Sequence, residues 1–112
     1  MKVITASTPE QQEYAHSLLG ELYNQIVPKY FSAGYIAELK NFQLMEIPSL
    51  AELSLKEIFE VTTALQTIIS ILNSPIQQGM EIEKYEDIFQ KNVRILSDYE
   101  INFPFKLSDF LS

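Results

Sequence analysis

A Glu-x-x-His motif is the pattern in this sequence that comes nearest to a metal site. Glu13 and His16 stand three residues apart, which places both side chains on one face of a helix. Di-iron helical bundles bind their metals with two such motifs and two further glutamates. His16 is the single histidine of the chain, so only a symmetric dimer brings two motifs together. Because His16 falls at the flank of an apolar stripe, the sequence favours an exposed histidine over a metal ligand.

A second group of possible ligands is acidic and lies late in the chain: Glu81, Glu83, Glu86 and Asp87. Carboxylate oxygens bind hard cations, but the spacing is not that of a calcium-binding loop. Negative side chains also stabilise the first turn of a helix, where the backbone dipole is positive. The cluster therefore predicts a helix start rather than a cation site.

Residues for covalent catalysis are missing from the sequence. It has no cysteine and no Gly-x-Ser-x-Gly motif, and Gly20, Gly34 and Gly79 each stand alone, without the glycine-rich turn that cradles phosphate. A serine or threonine nucleophile needs an activating base within hydrogen-bond reach, and His16 is the single imidazole. Two carboxylates that converge in the fold stay open as an acid–base pair, although nothing selects a pair. We predict no catalytic residue and no cofactor.

The charge balance excludes one class of partner. Fifteen acidic residues oppose eight basic ones in 112 residues, which gives a net charge of −7. Proteins that bind the phosphate backbone of nucleic acids show the opposite balance. The run from Val61 to Met80 has no charge but is too polar for a membrane-spanning helix. We expect one helical domain over residues 1–112, in the cytoplasm, without nucleic-acid or membrane binding.

Capping signals and apolar periodicity predict the elements. A Thr8-x-x-Gln11 capping box with Pro9 begins a first helix, which Pro28 ends or kinks near Val27. Ser32 caps a short helix to about Asn41. Uneven apolar spacing predicts a loop over 42–53. A second capping box (Ser54 to Glu57) begins a helix over 55–73, and helical apolar spacing predicts another helix over 84–99.

The remaining segments are short. Residues 2–6 are either a strand or an extended arm, and the candidate strand partners are Gln43–Ile47 and Ile101–Phe103. The end of the chain is an extended aromatic tail with one last turn at Ser108–Phe110. The sum predicts an all-α fold: a compact antiparallel bundle of three main helices plus one or two short ones.

Several of these segments resemble a known family. The opening Lys2–Gln11, the run Phe59–Ile71 and the Phe103-Pro104-Phe105 end are similar to the YhcU-like family of small uncharacterised proteins of bacilli and their relatives. The resemblance covers most of the chain and rests on core and capping residues. It implies a bacterial cytoplasmic protein and assigns no functional residue.

Apolar side chains beyond the helical stripes are the candidates for an interaction surface. Phe59 and Ile71 fall off the stripe of the third helix, so they either pack on another segment or form a self-association face. Four aromatic residues lie outside the long helices and either close the core or meet a partner: Tyr30, Phe31, Phe103 and Phe105.

Two functions remain open from the sequence. The first is a non-enzymatic acidic helical protein that forms a homodimer or docks on an unidentified protein partner. The alternative is a small-molecule or metal-binding protein with a pocket between helices, lined by Tyr14, Tyr23 or Tyr85.

Overall fold

The fold of this chain is all-α, as predicted. The computed structural model describes residues 5–73 and 82–110. Its α-helices are α1 (Pro9–Glu21), α2 (Ala33–Asn41), α3 (Leu55–Asn73) and α4 (Ile82–Asp98). A π-helical turn (Leu22–Ile26) and a 3₁₀ turn (Val27–Lys29) follow α1, and a second 3₁₀ turn covers Leu107–Phe110. The predicted loop at 77–80 and the acidic residue Glu81 lie outside the described residues.

The predicted helix starts are confirmed by their hydrogen bonds. Thr8 Oγ1 accepts from the Gln11 amide at 3.2 Å, and the Gln11 side chain accepts from the Thr8 amide at 2.8 Å. The same reciprocal pair joins Ser54 and Glu57 at 3.2 and 2.9 Å. Ser32 caps α2 through the amide of Tyr35. Each bond satisfies a backbone donor that a helix leaves unpaired at its start.

The end of the first helix differs from the prediction. The α-geometry stops at Glu21, and the chain continues through the π-helical turn into the 3₁₀ turn that contains Pro28. Proline has no N–H, and its ring crowds the carbonyl four residues earlier, here that of Asn24. The hydrogen-bond ladder therefore changes register before the proline, and the helical path reaches Lys29.

The N-terminal segment pairs with a part of the chain that the sequence did not indicate. Ala6 forms an isolated antiparallel bridge with Ser54, supported by Leu55 N–H to Thr5 O at 2.8 Å. Neither candidate partner, Gln43–Ile47 or Ile101–Phe103, forms this bridge, and residues 2–4 of the predicted segment lie outside the described residues. Ser7 closes the joint, because its hydroxyl donates to Leu53 O at 2.7 Å. This joint brings the starts of α1 and α3 to the same end of the molecule.

The central helix is α3, which packs against both α1 and α4. Its buried residues all belong to the core: Ile58, Val61, Ala64, Leu65, Ile68, Ile69, Ile71 and Leu72. Glu60 meets Tyr99 at one end of α4, and Ile71 shares a depression with Tyr85 at the other end. The predicted antiparallel arrangement therefore holds for α3 and α4. Among the helices in the described part of the chain, none is long and apolar enough to cross a membrane.

The aromatic tail turns back onto the bundle directly after α4. Glu100 has a φ of 64°, and the amide of Ile101 donates to Leu96 O at 3.0 Å, which closes the helix with a left-handed turn. The Tyr23 hydroxyl then donates to the carbonyl of Asn102 and ties the tail to the π-helical turn. Burial of this hydroxyl raises the pKa of Tyr23 above its ordinary value.

Candidate functional site

An apolar groove opens between α3 and α4. It measures about 550 Å³ and is open to solvent. Four of its eight lining residues are aliphatic or aromatic, two are neutral and polar, and two carry opposite charges; the lining is Leu55, Lys56, Phe59, Glu60, Thr63, Ala64, Asn92 and Ile95. We call this feature the α3–α4 groove.

Phe59 is the exposed aromatic side chain of this groove. Its side chain is 54% exposed, although α3 is the helix with the most buried residues. The buried stripe of α3 packs against α1 and α4, and Phe59 falls off that stripe at the open side of the groove. Phe59 was predicted as an interaction residue, and the structure places it where a partner can reach it.

One end of the α3–α4 groove is fixed by a hydrogen bond between the two helices. The Tyr99 hydroxyl donates to Glu60 Oε2, and this bond raises the pKa of Tyr99 to about 12, with the nearby acidic side chains acting in the same direction. The carboxylate stabilises the neutral phenol because a phenolate could not donate to it. Glu60 is therefore occupied within the chain and is less available to a cationic partner.

The raised pKa of Tyr99 predicts a loss of stability at alkaline pH. An unfolded tyrosine ionises near pH 10, whereas Tyr99 in the folded chain keeps its proton to about pH 12. The unfolded state therefore releases protons first, and stability present below about pH 10 falls as the pH rises through this window. Tyr99→Phe should flatten this part of the decline, measured as urea midpoints across the window. If the stability of Tyr99→Phe falls with pH as steeply as that of the parent chain, the hydrogen bond to Glu60 does not keep Tyr99 protonated.

The groove continues toward the far end of α4 as a shallower depression of about 320 Å³. Its lining is Gln66, Thr67, Ser70, Ile71, Tyr85 and Ile88. On α3, the exposed side chains after Glu60 are small or polar and uncharged, and the sequence has no charged residue from Val61 to Asn73. We call the exposed side of α3 from Phe59 to Ser70 the α3 face. It joins both depressions, and its exposed side chains beyond Glu60 carry no charge.

Three residues expected on an interaction surface lie in the core. Ile71, Phe103 and Phe105 are 8%, 4% and 3% exposed. Ile71 is covered because it faces α4 rather than solvent. Phe103 and Phe105 contact each other with ring centroids 5.0 Å apart, and both contact Phe110. As corrections to the expected surface, these three residues close the core and offer no surface to a partner.

Tyr30 and Phe31 lie at the edge of the same aromatic cluster. Phe31 is half-buried and packs on Phe105 at 4.7 Å, and Tyr30 packs edge-on against Phe110 at 5.0 Å while it stays 44% exposed. These contacts attach the turn after α1 to the tail. Of the six residues predicted for an interaction surface, Phe59 alone lines the α3–α4 groove. The other five belong to the aromatic cluster or to the core.

The residues considered for ligand chemistry do not converge. His16 and Glu13 are exposed along a depression between α1 and the 47–51 loop. Within residues 5–73 and 82–110, no three His, Asp or Glu side chains come close enough to hold a metal ion. Of the tyrosines proposed for a pocket, Tyr23 is buried, and the exposed Tyr14 hydroxyl accepts from Gln66 Nε2 at 2.7 Å. Tyr85 lies apart, in the depression beside Ile88.

Sequence reasoning missed three groove residues: Thr63, Asn92 and Ile95. Asn92 and Ile95 recur at the helical spacing of the apolar side of α4, which gives no sign that they line a groove. The available signal for Thr63 is the uncharged stretch that begins at Val61.

The fold and groove define a small all-α protein with a partly apolar groove beside its central helix. Comparison with known proteins gives the family: the chain belongs to a family of unknown function, DUF5365, which matches residues 1–112. It is 32% identical over 111 residues to the uncharacterized protein YhcU of Bacillus subtilis (strain 168), across 98% of this chain and 83% of that protein. The resemblance to a YhcU-like family is confirmed. No solved structure matches the chain.

Proposed function

We propose that the protein is a non-enzymatic interaction protein that works through the α3–α4 groove. The observation that carries this proposal is the half-exposed Phe59 at the centre of an open apolar groove. Covering a phenylalanine side chain stabilises a contact by about 1.5–3 kcal/mol. An exposed aromatic side chain with apolar walls on both sides is the usual anchor of a protein–protein contact.

Two further features support an interaction site over a small-molecule site. The groove is an open channel along two helices, whereas pockets for small ligands enclose most of the ligand surface. Its neutral polar groups are the Thr63 hydroxyl and the Asn92 amide, and its single carboxylate, that of Glu60, already accepts the hydrogen bond from Tyr99. The groove therefore offers apolar side chains of two helices to the apolar face of a partner helix.

A photo-crosslinking experiment tests this proposal in the cell. Phe59 is replaced with the photoreactive analogue benzoylphenylalanine, and the chain is irradiated in the cells that make it. Phe42 provides the matched control, because it is 74% exposed and lies outside the groove. We expect a discrete higher-mass adduct from position 59 and none from position 42. No adduct at either position, or the same adducts at both, would contradict the proposal.

A further inference from the structure

We propose that the occupant of the α3–α4 groove is a second copy of this chain, bound through an antiparallel pairing of the two α3 faces. This inference rests on the proposed function and specifies its partner. The two-fold axis passes close to Thr63, which lies midway along α3 and in the middle of its exposed side. Phe59 of each copy then packs on Thr67 of the other.

The charge distribution favours a second copy over a charged partner. The chain carries a net charge of −7, so two copies repel each other over most of their surface. The α3 face is free of charge from Val61 to Asn73 and permits close approach. A groove that selects a charged partner carries side chains of the opposite charge. The lining of this groove contains one basic and one acidic residue, Lys56 and Glu60, whose charges cancel.

The proposed contact extends along α3 and onto α4. Specific interfaces bury about 800 Å² on each partner, which is about a tenth of the 7487 Å² accessible surface of this chain. The 19 residues of α3 span about 28 Å, and Ile95 of α4 adds a half-buried apolar side chain to the groove wall.

The residues of the α3 face can be covered at little cost in hydrogen bonds. The Thr67 hydroxyl donates to Thr63 O at 2.8 Å within the helix, so its main hydrogen bond survives when a partner covers it. Threonine at both positions also lets a second helix come closer than long side chains would allow. An isologous contact places each large Phe59 against a small residue of the other copy, which is the complementarity a symmetric interface needs.

Opposite charges at the proposed axis provide the test. In a symmetric dimer, Thr63→Lys places two lysines together, and Thr63→Glu places two glutamates together. Each variant alone should weaken the dimer about tenfold or more, and an equimolar mixture should restore it as a heterodimer. Thr63 is exposed, and both replacements are better helix formers than threonine, so the fold should be kept. Native mass spectrometry across a dilution series separates 12.9 kDa monomers from dimers. One of the two variants is uniformly labelled with ¹⁵N, so that the heterodimer has a mass of its own between those of the two homodimers.

Ser17→Lys and Ser17→Glu are the matched controls, because Ser17 is exposed on α1. We expect both to remain dimers like the parent chain. A parent chain that is monomeric at every concentration overturns the inference, as does a mixture of Thr63 variants that stays monomeric. If position 59 crosslinks to a different protein while the parent is monomeric, the proposed function stands and the second copy is excluded. If position 59 forms no adduct, both fail.

Discussion

Replacing Phe103 with alanine is expected to lower the free energy of unfolding by about 3–5 kcal/mol. The ring is 4% exposed and contacts Phe89, Phe105 and Phe110, with centroids 5.8, 5.0 and 6.0 Å apart. Its removal leaves a cavity lined by rings that cannot collapse into it, because each is held by other contacts. A 112-residue domain has about 5–15 kcal/mol of stability in total, so the variant loses a large share of it.

Phe42→Ala is the matched control for this prediction. Phe42 is 74% exposed at the end of α2, and the same truncation there should change the free energy of unfolding by less than about 0.5 kcal/mol. Both variants are compared with the parent chain by urea denaturation monitored with far-UV circular dichroism. Equal losses at the two positions would mean that the tail does not pack on the bundle. A small loss at Phe103 alone would mean the same.

The helix starts could be predicted because each depends on residues three positions apart. Thr8 with Gln11 and Ser54 with Glu57 form their hydrogen bonds within one turn, so no other part of the chain decides them. The end of α1 was harder to place, because Pro28 excludes regular α-geometry without saying how the turn before it adjusts. In the structure, the turn before Pro28 adopts π-helical geometry.

Contacts between distant segments could not be read from the sequence. The bond from Tyr23 to Asn102 joins residues 79 positions apart, and the bridge from Ala6 to Ser54 has no local signal. The contacts of the aromatic tail could not be predicted for the same reason. The spacing of Phe103 and Phe105 is that of an extended segment with one buried side, but nothing local states whether that side meets its own bundle or a partner.

Phe59 and Ile71 show how much of the candidate site the sequence contains. Both fall off the apolar stripe of α3, so the sequence pattern predicts the same need for cover at each. They differ in how far α4 covers them: Ile71 is 8% exposed beside Tyr85, whereas Phe59 stays 54% exposed in the part of the α3–α4 groove that Ile95 lines. A single helix pattern predicts that extra apolar side chains need cover, but the packing of α4 decides which of them receives it.

The second large effect is expected from Leu65→Ala in the middle of α3. Leu65 is fully buried in the core, where the side chains of several elements meet. Truncating a buried leucine removes its transfer free energy and leaves a cavity, and together these cost about 2–5 kcal/mol. Because α3 packs against both α1 and α4, the loss should appear as one cooperative unfolding transition at lower urea concentration.

Lys91→Ala on the exposed side of α4 provides the control for Leu65→Ala, with an expected change below about 0.5 kcal/mol. A change below about 1 kcal/mol at Leu65 would contradict the assignment of α3 as the central helix. The comparison with Thr63 then separates the two sides of α3. Leu65→Ala should lower stability at any protein concentration, whereas Thr63→Lys should change the concentration at which the chain associates. A helix that supports the core on one side and a second copy on the other must respond differently to these two substitutions.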